Sequence, residues 1–311
     1  TLARLLKKQG CNVQVLMTQN ATQFINPITI ESLTGNKCLI DTFDRNFQYS
    51  VEHVALAKQA DIVMVAPASA NVIGKIAYGI ADDMLTTTVM ACPCKKMISP
   101  AMNHNMYHNP IVQDNIQKLE RFGYEMIAPD RGMLANGDDG DGRMPEPEVL
   151  FEYILRELAF EKDLAGKNVL VTAGATMEAI DPVRYITNHS SGKMGCAVAK
   201  AAMQRGAKVT LVAGHMEVLP PMFVDVVNVK SAADMFEAVT KLAPEQDIIV
   251  KAAAVADYTP VAVADNKIKK SDDDMKIELK RTKDILGYLG HQRARRSQVT
   301  CRACENVISV R

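Results

Sequence analysis

The 311 residues carry 36 basic and 36 acidic side chains, a formal net charge of zero that gives no long-range field for nucleic acid or an anionic membrane. Hydrophobic residues make up 48% and charged residues 23%, which argues against disorder and supplies a core for each of two domains. No apolar run is long enough to span a bilayer and none has the make-up of a signal peptide, so neither membrane nor nucleic acid is expected as a partner.

Short apolar runs alternate with helix-period segments, the pattern of βαβ units and parallel sheets. The chain opens on Thr1-Leu2-Ala3-Arg4 inside a helical pattern. Residues 12–17 (NVQVLM) follow as a predicted strand, and 18–24 start the next helix. Residues 61–66 (DIVMVA) read as a fully buried strand ended by Pro67, and residues 96–99 as another. A helix over 110–122 leads to a strand at 124–128. Residues 131–147, rich in Gly, Asp and Pro, read as an ordered loop or flap.

A helix over 148–161 reaches a charged connector, and the series restarts. Strands are expected at 168–172 (NVLVT), 208–212 (KVTLV) and 247–252, with helices at 196–205 and 232–242. The expected fold class is therefore α/β: a doubly wound domain over 1–162, then a second Rossmann-like α/β domain over 163–311. From Gly287 to Arg311 five arginines face one acid without a clear period, so a solvated basic tail is expected there. Seven cysteines, an odd number, scatter along the chain and suggest a reducing, cytoplasmic setting. Cys92-Pro93-Cys94 and Cys301-x-x-Cys304 each lack a second pair at zinc spacing, so neither is expected to hold a metal.

Ligands of open α/β sheets sit at the carboxyl ends of strands. After the strand at 61–66 come Pro67, Ala68, Ser69, Ala70 and Asn71, and after 96–99 comes Pro100-Ala-Met-Asn-His-Asn-Met106. Thr18 offers a hydroxyl beyond the first strand. These neutral polar tips suit a flat heteroaromatic cofactor better than a metal. His53 opens the helix before the buried strand; it is either an acid/base group or a structural histidine. Asn103 is either a site residue or an Asx-turn residue. His104 and His108 read as loop or cap residues.

Residues 18–24, His53, the run PASANVIGKIAYGIADDMLTT from Pro67, PAMNHNM from Pro100 and GDDGDGRMPEP from Gly137 resemble the flavin-containing cysteine decarboxylase family. The resemblance implies a flavodoxin-like domain with FMN held between subunits of a trimer. In it, Thr18 and Pro67–Asn71 contact FMN, His53 is the acid/base, and Asn103 with Met106 orients the substrate carboxylate. Flavin oxidation of the cysteine thiol creates an electron sink for loss of CO₂, after which the product is reduced back. Two departures matter. The family's phosphate-cradling turn lies before the first residue here, so its backbone donors are expected to be missing. Asn136 stands where the family commonly has the Cys that donates a proton in the last reduction, so an oxidised enethiol product is expected to accumulate.

In the second half, Ala173-Gly-Ala-Thr176 ends a strand, and a long loop runs through Ile180-Asp-Pro-Val-Arg184 and Asn188-His-Ser-Ser-Gly-Lys-Met-Gly195 into a helix. Glycines, serines and a lysine entering a helix make either an anion cradle, distinct from a Walker loop or a dinucleotide GxGxxG, or an ordinary βα connection with Gly for turns; its length argues for function. A later strand delivers Lys251-Ala252-Ala253-Ala-Val-Ala-Asp257, whose small residues admit a base or ribose. Asp257 can hold a hydroxyl or a Mg²⁺ ion. AGATMEAIDPVRYITNHSSGKMG, AAAVADYTP and KIKK are similar to the phosphopantothenate–cysteine ligase domain of bacterial bifunctional enzymes. The resemblance implies that CTP activates 4'-phosphopantothenate as an acyl cytidylate, which cysteine attacks. Asn188 then orients that intermediate, Lys267 neutralises charge in the first step, Lys251–Ala253 line the cytidine pocket, and Asp257 binds CTP or its metal. Arg281-Thr-Lys283-Asp284-Ile285 resembles the next nucleotide-contact segment. The likeness ends near Gly290, which raises the expectation that the tail is an altered reading frame or assembly artefact, that it adds no paired strand to the second sheet, and that part of the CTP pocket is lacking. Taken together, the resemblance implies coenzyme A biosynthesis by a homo-oligomer built from trimers and dimers. The alternative is a catalytically impaired flavin-binding or regulatory subunit of the same family.

Overall fold

In the computed structural model the chain divides into two α/β units, Thr1–Ile154 and Leu155–Arg311. The structure describes residues 1–42, 52–133, 137, 139–270, 274–293 and 307–309. The candidate Asn136 lies outside them.

The first unit runs α1 (Leu2–Lys8), a 3₁₀ turn (Ala21–Gln23), α2 (Pro27–Thr34), α3 (Glu52–Gln59), β1 (Ile62–Ala68), α4 (Ala70–Ala77), α5 (Met84–Ala91), β2 (Lys95–Pro100), α6 (His104–Tyr107), α7 (Pro110–Arg121), β3 (Glu125–Met126), β4 (Asp130–Met133) and β5 (Asp139–Arg143); α8 (Pro147–Leu158) follows. β1, β2 and β3 form a parallel sheet in that order. Alternation along β2 sorts the core. Ile98 packs with Val65 and the α4 and α7 residues Val72, Ile73, Ile76, Ile116 and Leu119, whereas Met97 packs with Ile127 and Leu150. Burial of each such side chain contributes about 1.5–3 kcal/mol.

Helix starts follow local chemistry. Asn26 and Asn109 cap α2 and α7, each with Pro in the first turn, and Asp83 accepts the Thr86 N–H to start α5. Lys75 on α4 bonds Asp82 at 2.6 Å and Asp83 at 3.0 Å, so much of the ADDML segment braces α4 to α5.

Two expectations are corrected in this unit. Among the described residues, 12–17 form no ladder strand; they make a single parallel bridge, Leu16 to Leu39, and the neighbouring contacts to Asn36 and Lys37 run through side chains. Residues 131–147 hold an antiparallel hairpin, β4 paired to β5, rather than a loop. Gly and Asp hide the strand period there, but a two-stranded ribbon needs only backbone pairing.

The second unit contains β6 (Asn168–Ala173), β7 (Met177–Ala179), β8 (Tyr185–Thr187), α9 (Lys193–Gln204), β9 (Lys208–Ala213), β10 (Asp225–Asn228), α10 (Ala232–Leu242), β11 (Ile248–Lys251), β12 (Tyr258–Pro260), β13 (Leu279–Arg281), α11 (Ile285–Arg293) and β14 (Val307–Ser309). The sheet order is β10-β9-β6-β11-β14, parallel apart from β14. Val169, Val171 and Ala173 pack with α9, while Leu170 packs with Met235 and Val239 of α10. Helices therefore cover both faces, and the strand order reverses between β6 and β11. That is the Rossmann-like switch point where ligands bind.

The tail expectation is corrected as well. Val307–Ser309 pairs antiparallel with Ile248–Val250 at the sheet edge. The β-branched Val307-Ile308 run after the arginines carries enough strand propensity to add there.

Candidate functional site

In the first unit the tips of β1 and β2 are tied together: the Ala101 N–H donates to the Ala68 carbonyl at 2.9 Å. Ala68 is fully buried, while Pro67, Ser69 and Asn71 are exposed. Ser69 caps α4 through the Val72 N–H at 3.4 Å. Ser99, on the neighbouring tip, is buried, and its hydroxyl has no hydrogen-bond partner among the described residues. The donor set is neutral and partly unspent, which fits a flavin ring and its polar edge better than a cation. Thr18 lies beyond the Leu16 bridge and its Oγ1 accepts the Ala21 N–H at 3.2 Å. His53 is half-buried on α3, which lies against α5.

Asn103 caps α6, its Oδ1 accepting the Asn105 N–H at 2.9 Å, so its amide NH₂ is what remains for a ligand. Met106 is exposed on the same short helix. The β4–β5 hairpin sits on this turn. The Met102 N–H donates to the Gly142 carbonyl at 3.0 Å, and the Asp141 N–H donates to His104 Nδ1 at 3.2 Å. His108 Nε2 lies 3.0 Å from Asp141 Oδ2. A Cβ on Gly142, whose φ is +138°, would come within 2.1 Å of the Met102 carbonyl oxygen. The two histidines thus latch the hairpin, a role beyond loop or cap that their spacing alone did not show.

In the second unit the switch point carries the candidates. Gly174 (φ +81°) turns the chain after β6, where a Cβ would stand 2.4 Å from the His215 carbonyl oxygen. The buried Thr172 hydroxyl accepts from the N–H groups of Ala252 and Ala253 at 3.1 and 3.2 Å. Thr176 accepts from Ala256 at 2.9 Å. These bonds set the path of residues 252–256. Asn188 donates its amide to the Ala254 carbonyl at 3.3 Å, which places it beside that path.

A cavity of about 390 Å³ opens next to it, lined by Lys251, residues 255–258 and residues 281–285. Of the predicted residues it gathers Lys251, Asp257, Lys283, Asp284 and Ile285; Ala252 and Ala253 adjoin it. Neither Asn188 nor Lys267 lines it. The backbone of Thr282 closes one wall, donating to the Asp257 carbonyl at 2.9 Å, and its hydroxyl donates to the Ala256 carbonyl at 2.7 Å. Asp284 caps α11 by accepting the Leu286 N–H at 2.9 Å. The Lys283 ammonium stands 4.9 Å from the centre of the Phe236 ring. Burial pushes the Lys251 amine below its usual range, against the opposing pull of Asp284 and Asp257. Lys251, Arg281 and Lys283 around an exposed Asp257 suit a metal-bound polyphosphate rather than a bare cation.

Lys267 is exposed on the segment between β12 and β13. That segment is stitched to residues 180–184. The Ala264 N–H donates to the Ile180 carbonyl at 3.0 Å, and the Ile268 N–H donates to Asp181 Oδ2 at 3.1 Å. Asp181 is the residue the sequence reading passed over. Its side chain is fully buried, and it also accepts the N–H groups of Val183 and Arg184 at 2.8 and 2.9 Å and Arg184 Nε at 3.0 Å. Burial pushes its carboxyl up, but those bonds outweigh it and hold the carboxyl down at about 2. Asp-Pro reads as a turn starter; a buried acid there leaves no sequence signal.

Two parallel-sheet units, one with a neutral strand tip that suits a flavin and one with a charged cavity at a strand end, define a tandem α/β protein of the flavoprotein class. The flavoprotein family matches residues 1–159, and the DNA/pantothenate metabolism flavoprotein C-terminal domain matches residues 164–307. The coenzyme A biosynthesis bifunctional protein CoaBC of Bacillus subtilis is 47% identical over 295 residues, covering 94% of this chain and 73% of that one. Its counterpart in Haemophilus influenzae is 43% identical over 295 residues, covering 95% and 74%. The chain belongs to this family of bifunctional coenzyme A biosynthesis flavoproteins. A solved C-terminal domain of a CoaBC protein aligns at 49% identity over 41% of this chain and 60% of that chain, with a TM-score of 0.36. Among the described residues no helix is long and apolar enough to cross a membrane.

Proposed function

We propose that the chain performs two successive steps of coenzyme A biosynthesis. The second unit joins 4'-phosphopantothenate to cysteine at the expense of CTP, and the first decarboxylates the product with FMN. The observation that carries this reading is the cavity at the carboxyl end of β11, whose lining gathers three cations and two acids of the kind that a cytidine triphosphate and Mg²⁺ would require. The matching of both family segments in the expected order supports it.

In the ligase step Lys251, Arg281 and Lys283 hold phosphate charge, with Asp257 placed to share a Mg²⁺ ion, and Lys267 offsets charge as pyrophosphate leaves. Asn188, with one amide proton committed to Ala254, keeps its carbonyl oxygen and second N–H for the acyl cytidylate. Cysteine then displaces CMP. In the decarboxylase step Pro67–Asn71 and Thr18 hold FMN, Asn103 donates its free amide to the substrate carboxylate beside Met106, and His53 moves the proton. When bound, FMN supplies the two-electron chemistry that opens an electron sink for loss of CO₂. We further propose that the chain works in the cytoplasm as a homo-oligomer of trimers and dimers.

The test is a coupled assay on the FMN-loaded protein. Pyrophosphate release is expected only with 4'-phosphopantothenate, CTP and Mg²⁺ together, and CO₂ release only after cysteine is added. His53→Ala should abolish CO₂ and leave pyrophosphate unchanged. Asn136→Cys should raise the share of saturated thiol product over enethiol. Pyrophosphate release with CTP alone, or none under any condition, rejects the ligase half. CO₂ release that survives His53→Ala rejects the assignment of the proton.

A further inference from the structure

The segment from Val261 to Glu278 joins β12 to β13, and those two residues close its base through the Val261 N–H to Glu278 carbonyl bond at 3.0 Å. A connection of this length with no helix or strand assigned to its described residues is uncommon unless it serves a function. Left to itself such a loop would sample many positions, and so would any side chain it carries. Here it is held by the Ala264 N–H bond to the Ile180 carbonyl and, next to Lys267, by a buried carboxylate.

Asp181 spends its Oδ1 on its own turn, accepting from Val183 and Arg184, and spends Oδ2 on Arg184 Nε and on the Ile268 N–H, 87 residues away. The same Arg184 reaches round the peptide: its Nη2 donates to the Ile268 carbonyl, and its Nη1 lies 3.9 Å from Met275 Sδ. Ile268 is therefore gripped at both its N–H and its C=O by one ion pair. The residue bonded to that N–H through the peptide is Lys267. A carboxylate with 0% side-chain exposure is costly to desolvate, and the local turn alone would form as well at the surface. The long-range bond to Ile268 is what the buried position adds.

We propose that Asp181 is a positioning residue for the acyl-cytidylate step, a reading that rests on the ligase activity proposed above: its buried carboxylate fixes the backbone that carries Lys267. Arg184 completes the grip. Lys267 does the electrostatic work on the leaving pyrophosphate, and Asp181 touches neither substrate nor nucleotide. Because a misplacement of about 1 Å can cost about 100-fold in rate, loosening this one peptide is enough to matter.

The test uses Asp181→Asn and Asp181→Ser in the full chain. Serine can still cap the local turn but is too short to reach Ile268, so it separates the long-range bond from the turn. Both variants are expected to lower kcat for pyrophosphate release by about 10- to 100-fold, with KM for CTP within about twofold of the parent. On a Lys267→Gln background the same changes should add almost nothing, since Asp181 acts through that lysine. Trypsin should cut after Lys267 about tenfold faster in Asp181→Ser than in the parent, a readout independent of activity. Unchanged kcat and unchanged cleavage in a folded Asp181→Ser protein overturn the proposal, as does full additivity with Lys267→Gln. A parent protein that releases no pyrophosphate rejects the ligase reading instead. In that event the cleavage result still decides whether Asp181 tethers the loop.

Discussion

Lys251 ends β11 with its amine held below the ordinary lysine range, chiefly by burial, while Asp284 and Asp257 pull the other way. A lysine whose folded pKa lies below 10.5 binds fewer protons than the unfolded chain as pH approaches that value. Its contribution to stability therefore rises with pH through that window and is least favourable at neutral pH. Lys251→Met is thus expected to leave the thermal midpoint of the second unit unchanged or slightly higher, while CTP-dependent pyrophosphate release falls about 100-fold. Calorimetry with the pyrophosphate assay checks this, and a fall in the midpoint would make Lys251 a structural residue. At this scale the sequence pointed to Lys251 and Asp257, which the structure brings into one cavity wall, and to Asn188, which stands outside it. It was silent on Thr172, Thr176 and Asp181, because a hydroxyl or carboxylate that organises backbone from within is indistinguishable in sequence from one facing water.

At the scale of elements, the strands expected at 61–66, 96–99, 168–172 and 208–212 are present because each carries a short apolar run, although the strand expected to be fully buried at 61–66 is only part-buried over Ile62–Met64. β10, β7 with β8, and β12 with β13 went unread. Each is four residues or fewer, so no period survives to be counted. The β4–β5 hairpin belongs with them, and its seat on the Asn103 turn depends on a glycine. Alanine at position 142 would need a positive φ and would place its Cβ 2.1 Å from the Met102 carbonyl oxygen. Backbone strain of about 1–3 kcal/mol and a lost hydrogen bond of about 1 kcal/mol follow. Gly142→Ala should therefore destabilise the first unit by about 2–4 kcal/mol in urea unfolding. It should also speed amide exchange at residues 140–143 and lower CO₂ release without touching pyrophosphate release. Normal exchange at those amides would mean that the hairpin does not depend on this contact.

At the scale of the whole molecule, zero net charge and a restarted βαβ series described two separately built sheets, and the cores bear on the same point. Ile98, Met97 and their partners belong to residues 1–154, whereas Leu170, Val171 and theirs belong to residues 155–311. Nothing in a strand pattern reveals that an arginine-rich tail returns a strand to the sheet edge, since that pairing is settled by an open edge at β11. Two independent cores predict two unfolding transitions, each answering to its own ligand. A ligand at about 100 times its Kd adds about 2.7 kcal/mol to the unit it binds. For units of this size that is a rise of roughly 5–10 °C in one midpoint. FMN should move one transition and CTP with Mg²⁺ the other, and Lys251→Met should erase the CTP shift while sparing the FMN shift. A single transition raised equally by both ligands would instead mean that the two sheets unfold as one cooperative body.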